Sequence, residues 1–130
     1  MNLRFETNFL VMPHHCNHHD EATEIFGGSF FGEIDKAGYC CVCRLLQDSE
    51  CDSCVTHKVL EGAFHAAAYR GDLIFLEAEV VELRKKAVVV EVKAFREKQA
   101  IRGRDYVAKW KFVFVTKKDG KFHHHGLTLP

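Results

Sequence analysis

Three stretches in the second half of the chain alternate between apolar and polar residues. In "GDLIFLEAEVVELR" (71 to 84), Leu76, Ala78 and Val80 oppose Glu77 and Glu79. In "KAVVVEVKAFREK" (86 to 98), Val88, Val90, Val92 and Ala94 oppose Glu91 and Lys93, and in "RDYVAKWKFVFVTKK" (104 to 118), Ala108, Trp110, Phe112 and Phe114 oppose Lys109 and Lys111. A period of two sustained over three successive segments predicts an antiparallel sheet with one buried and one wet face. Residues 3 to 11 predict a first strand, and 54 to 61 another, with 62 to 68 as its irregular continuation. Between them the period changes. From 28 to 46 there is no proline, and Phe30, Phe31, Ile34, Ala37, Cys41, Val42 and Leu45 recur at helical spacing. Apolar residues on more than one face mark a buried helix. Gly32 and Gly38 would weaken it in isolation and make sense where backbone approaches closely. One strand, one helix and four strand segments define an α+β class, with a twisted antiparallel sheet of about five strands wrapped around a long central helix.

Composition narrows the possibilities. The chain has 130 residues, the size of one domain, and no repeat or Pro/Gly-rich linker divides it. Eighteen basic residues balance eighteen acidic ones, so no net field favours nucleic acid or an anionic membrane surface. No segment approaches the ~20 apolar residues that span a bilayer, so no membrane insertion is expected. Residues 1 to 11 carry Arg4 and Glu6 within a short apolar stretch, unlike a signal peptide. The expected compartment is therefore the reducing cytoplasm, and the six cysteines read as thiols. Cys40, Cys41 and Cys43 read as small buried hydrophobes within the helix. Cys51 and Cys54 form a CxxC without the second pair that a metal site requires.

The candidate chemistry begins in the polar loop over 13 to 27, "PHHCNHHDEATEIFG". His14, His15, Cys16, His18, His19 and Asp20 are possible zinc ligands by type, but no distant CxxC or HxxxH completes a shell. Such histidines read as solvated, and His123, His124 and His125 as part of an exposed tail over 119 to 130. The loop leads instead to "FGGSFFGEIDKAG" (26 to 38). Two glycines at a helix start let a ligand oxygen approach free N–H groups at the positive end of the helix dipole, as carbonyl polarisation requires; equally, they can serve only the turn. Seven residues on, Asp35 is set among Phe31, Gly32, Gly38, Tyr39 and Val42 on the helix surface. A carboxylate there is costly without partners. Gly28 and Asp35 lie about 10 Å apart by helical rise, too far to touch one reacting atom within one chain. A two-fold dimer could bring Asp35 of one copy to Gly28 of the other; equally, Asp35 can lie at the helix surface or be bonded into the dimer seam.

These residues are similar to a known pattern. Phe26-Gly27-Gly28 followed by Asp35 and Ala37 resembles the helix motif of the hotdog-fold acyl-CoA thioesterases, the broad-specificity bacterial (YciA-like) and brain-type acyl-CoA hydrolase group. Pro13 with Asn17 resembles that family's approach loop. Val55-Thr56, Phe64 and Gly71-Asp72 resemble its second strand and turn, and Trp110 to Val115 with Asp119-Gly120-Lys121 resembles its closing strand and final turn. The resemblance spans nearly the whole chain. It departs from the pattern in the loop, which is about three residues longer than the family's and lacks its glycine, so Asn17 and Asp20 compete for one position. The family's proline before Gly71-Asp72 is also replaced.

The resemblance implies a single hotdog domain over 1 to 130, with 28 to 46 as central helix, assembled as a homodimer and possibly a higher oligomer built from dimers. It implies hydrolysis of an acyl-CoA to free acid and CoA without a metal or other cofactor. Asp35 would be the general base or nucleophile. Gly28, with Gly27 beside it, would polarise the carbonyl from the partner chain. Thr56 would orient Asp35 or the water, and Asn17 or Asp20 would position substrate or water. Phe26, Phe31, Tyr39 and Arg70 are the candidate substrate contacts, and the rings of Phe30, Phe31 and Tyr39 suggest a confined acyl pocket. Two other readings remain. A hotdog acyl-thioester dehydratase would need a histidine paired with an acid, for which His57 and His65 are the candidates in the folded body. A non-catalytic acyl-thioester or metal-binding scaffold would have no use for Asp35.

Overall fold

The computed structural model describes residues 1 to 17, 23 to 98, 100 and 102 to 130. Strand β1 (Arg4–Leu10) is followed by a 3-10 turn (Pro13–His15), helix α1 (Gly27–Leu45) with a 3-10 extension (Leu46–Asp48), and strands β2 (Ser53–Phe64), β3 (Leu73–Arg84), β4 (Ala87–Glu97), β5 (Asp105–Lys118) and β6 (Lys121–Phe122). The strands form one antiparallel sheet in the order β1-β3-β4-β5-β2, with β6 paired to the end of β5. This sheet curls around α1 in the hotdog arrangement.

The alternation read from the sequence decides which side chains meet the helix. Ile74, Leu76, Ala78 and Val80 of β3, Val88, Val90, Val92 and Ala94 of β4, and Ala108, Phe112 and Phe114 of β5 are all buried. They close on Phe30, Ile34, Ala37, Cys41, Val42 and Leu45 of α1 in a single core. Such burial, at roughly 25 cal/mol per Å² of apolar surface, is what makes the period of two so legible. Gly38 explains itself here: a Cβ at that position would lie 3.2 Å from two atoms of the Phe114 ring. The helix sits that close to the sheet because residue 38 has no side chain.

Three features differ from the sequence reading. The second strand is longer than 54 to 61, continuing to Phe64 through two register irregularities, between Thr56 and Lys58 and between Val59 and Glu61. Its outer half is solvent-exposed and carries no clean alternation, so periodicity could not mark its end. The C-terminal histidines are not all exposed. His125 is only 4% exposed, its Nδ1 accepts the Leu127 N–H at 3.0 Å and its Nε2 bonds the Arg84 carbonyl, while its own carbonyl accepts the Ser49 hydroxyl at 2.9 Å. Thr116 Oγ1 donates to the His123 carbonyl at 2.6 Å. Residues 123 to 125 are thus stitched to the sheet by backbone groups that neighbouring sequence does not announce. In the approach loop, His15 is likewise buried rather than solvated, its ring tilted at 56° against Phe9 with centroids 5.2 Å apart.

Candidate active site

The site begins with the way the loop delivers α1. Ile25 N–H donates to Ala68 O at 2.8 Å, and Phe26 N–H to His15 O at 2.8 Å. These bonds hold Phe26 as the extended N-cap residue. His15 is fixed in turn, because its Nδ1 accepts the Met12 N–H at 2.9 Å and its Nε2 lies 3.6 Å from Glu33 Oε1 on the second turn of the helix. No side chain caps α1, and its first bond runs from Phe30 N–H to Phe26 O. The amides of Gly27, Gly28 and Ser29 therefore have no carbonyl within the helix and stand at its positive end. Nothing lies within 4 Å of where a Cβ of Gly27 would be. At Gly28 a Cβ would meet the exposed Phe26 ring at 2.7 Å. An anion or carbonyl oxygen can reach these donors from outside.

A cleft of about 300 Å³ opens at this point, with Gly27, Phe30, Phe64 and Ala68 among its walls. His65 lines it as well, a histidine that no motif ties to the helix start.

Asp35 lies two turns further along α1, half-buried against β2. Thr56 Oγ1 donates to Asp35 Oδ1 at 2.7 Å. This bond spans the seam between helix and edge strand and leaves the second carboxylate oxygen available. Beyond it lie Tyr39, Cys43 and Cys54. Burial, first, then Cys43 and the Asp35 carboxylate push the Cys54 thiol well above its ordinary range, and a hydrogen bond with Cys43 raises the Tyr39 phenol. Burial likewise pushes the Cys41 thiol up to about 11. All six cysteines are free, and these three groups hold their protons at neutral pH.

Among the residues singled out from the sequence, Asp35 and Thr56 meet, and Gly27 and Gly28 stand together at the helix start. The structure does not bring the two pairs together within one chain. Asn17 is exposed at the neck of the loop, its N–H bonded to Glu24 O at 3.0 Å. Asp20 lies outside the described residues, as do His18 and His19. Arg70 is exposed beside the turn that Asp72 closes by accepting the Tyr69 N–H at 2.9 Å. Phe26 and Tyr39 are exposed at 54% and 42%, whereas Phe31 is partly buried against Trp110, 5.0 Å between ring centroids. Among the described residues, no group of three or more His, Cys, Asp or Glu is placed to hold a metal ion. Phe64 and Trp110, placed from the sequence only in the strand patterns, meet beside the cleft with ring centroids 5.3 Å apart, which those patterns did not anticipate. The available signal was Gly62 within a strand, since a glycine there often marks close approach of another group.

α1 thus carries free amides at its N-terminus and, two turns on, a carboxylate held by a hydroxyl of the neighbouring strand. The chain matches the thioesterase superfamily over residues 24 to 101 and belongs to that family. None of the curated proteins matches it. Among solved structures, it is similar to an acyl-CoA hydrolase from Staphylococcus aureus in complex with butyryl coenzyme A (23% identity, covering 93% of this chain and 70% of that one, TM-score 0.81). It is also similar to a hexameric thioesterase from Yersinia pestis (20% identity, 95% and 94% covered, TM-score 0.80) and an acyl-CoA hydrolase from Bacillus cereus (22% identity, 93% and 70% covered, TM-score 0.79). At these identities the likeness is one of fold.

Proposed function

We propose that this protein hydrolyses acyl-CoA thioesters to the free acid and CoA, in sites shared between two copies. The observation that carries the reading is the 2.7 Å bond from Thr56 to Asp35. It fixes a carboxylate on the face of the same helix whose first turn presents unbonded amides. Asp35 takes a proton from water as the new C–O bond forms. The thioester carbonyl becomes an oxyanion held by the Gly28 amide of the partner copy, with Gly27 beside it. When the C–S bond breaks, that proton passes to the CoA sulfur. Asn17 or Asp20 takes the role of placing substrate or water. The polarising donors are amides, so the reaction as written draws on no metal or other cofactor.

The homodimer is supported by the outer edge of β2. Val55, Val59, Leu60 and Phe64 are each about two-fifths exposed on a strand paired on one side only. An apolar strand edge of this length is a template for pairing with another strand. A second copy, related by a two-fold axis, satisfies it and supplies the missing half of each site. Assembly of dimers into a higher oligomer, as in the hexameric Yersinia pestis thioesterase, is compatible with this arrangement. Six free thiols fit a cytoplasmic setting.

Release of free CoA from a panel of acyl-CoAs tests the reading; a folded protein that releases none from any of them would overturn it. The position of His65 in the cleft favours a second reading, acyl-thioester dehydration. Hydration of an enoyl-CoA exceeding thioester hydrolysis would select it.

A further inference from the structure

Between the cleft at Gly27 and the carboxylate at Asp35, the seam of α1 and β2 is filled with rings. Phe31 stands one turn before Asp35 on the same helix face. Its ring meets Trp110 edge-on, with centroids 5.0 Å apart and planes at 75°. Trp110 also packs on Phe64 at 5.3 Å and Phe112 at 6.2 Å. Phe64, 42% exposed, lines the cleft, so Trp110, packed on it, backs the cleft wall.

The indole sits there under two handicaps. It lies across the edge strand at its register partner Gly62, where a Cβ would be 2.1 Å from the ring, so β2 must carry a glycine in its interior. Its Nε1 is buried with no hydrogen-bond partner among the described residues, which sacrifices a donor's hydration without replacing it. A leucine or phenylalanine would fill the core without the unpaired donor. Local choices that act against stability and cluster beside a reacting group mark a functional constraint.

We propose that Trp110 is the specificity-determining residue of the site. By meeting Phe31, one turn before Asp35, and backing Phe64, it fills the seam of α1 and β2 beside Asp35, so that a site formed there with the Gly28 amide of the partner copy takes compact acyl groups, short aliphatic or single-ring, and rejects long aliphatic chains. This rests on the thioesterase reading, because only a site that receives an acyl group has a chain length to select.

The test compares kcat/KM for butyryl-, phenylacetyl- and palmitoyl-CoA, using the full-length protein and its Trp110→Leu variant, with micelle formation by the long substrate controlled. Wild type is expected to favour the two compact substrates, and Trp110→Leu to raise the palmitoyl-to-butyryl ratio by about tenfold or more, the range in which a pocket discriminates a few methylenes. A wild type that cleaves palmitoyl-CoA as well as butyryl-CoA overturns the inference and leaves the thioesterase reading standing. So does a folded, active Trp110→Leu protein with an unchanged ratio. Failure to release CoA from all three substrates overturns the thioesterase reading itself. If Trp110→Leu does not fold, Trp110→Phe takes its place, and the wild-type profile decides without either variant.

Discussion

Strands β3, β4 and β5 and the edge strand β2 belong to one sheet, but their side chains are distributed by opposite rules. Along β3 to β5, inward positions are apolar and buried, while the outward ones hold a buried Val89–Val113 pair at one end and paired charges beyond it. Glu91 reaches Lys109 of the neighbouring strand at 3.4 Å and Lys93 of its own strand at 3.8 Å. Along β2, only Cys54 is buried, and the outer half leaves apolar residues in solvent. The first region maximises what a single chain can bury. The second holds Thr56 against Asp35, accommodates an indole over a glycine and keeps an edge unpaired. Its deficits as a strand are located where the proposed site and the proposed partner lie.

Changing an acid to its amide on the seam should have the largest effect. Asp35→Asn removes the proposed base while keeping the shape and the acceptor for Thr56. Loss of a positioned base costs about 10² to 10⁴ in rate, so kcat should fall by that amount while the melting temperature and oligomeric state barely move. Wild-type kcat from the folded variant on its best substrate would remove Asp35 from the mechanism.

Two leucines put the regions against each other. Leu76 on β3 is 1% exposed, and Leu76→Ala should cost about 2 to 5 kcal/mol in denaturant unfolding, by lost burial and the cavity left behind. Leu60 on β2 is 38% exposed, and Leu60→Lys should leave the fold of each copy intact but split the proposed dimer, seen by sedimentation. Activity should fall with it if, as proposed, each copy holds only half a site. An active Leu60→Lys monomer would show that one chain suffices.

The contrast also explains what could be read in advance. Inward and outward positions of β3 to β5 were legible because burial imposes a period. Asp35 was legible because a lone carboxylate on an apolar helix face requires a reason. Its bond to Thr56 joins residues 21 apart in sequence, which the family pattern anticipated and periodicity could not. The burial of His15 and His125 was illegible for a different reason: their partners include backbone groups, at Met12, Arg84 and Leu127, which carry no residue-specific signal. Trp110 looked like any inward strand residue until its register with Gly62 was known.

A smaller effect is expected from mixing two defective chains. In Gly28→Val the new side chain must displace the Phe26 ring and obstruct the amide; Asp35→Asn lacks the base. If the sites are shared, each homodimer is nearly inactive, and a mixed dimer collects both lesions in one site and leaves the other intact. Random pairing makes about half of the dimers mixed, so about a quarter of wild-type activity should return. Native mass spectrometry must show the exchange. Proven mixed dimers without activity would argue against a Gly28 and an Asp35 from different chains.

The smallest effect should come from the same chemical change as the first, made on the outer face of the sheet. Glu91 lies between Lys93 and Lys109, and these two lysines are themselves register partners on β4 and β5. In Glu91→Gln the mediating charge is gone and like charges face each other directly, which is unfavourable across strands. Both lysines are substantially exposed, at 47% and 37%, so water and salt screen most of this repulsion. The expected cost is about 0.5 to 1 kcal/mol at low ionic strength, shrinking as salt is added, with kcat unchanged because no part of the proposed site touches Glu91. A loss of activity comparable to that of Asp35→Asn would mean that the outer face takes part in the chemistry. A salt-independent loss of stability would mean that Glu91 is held by something other than its two lysines.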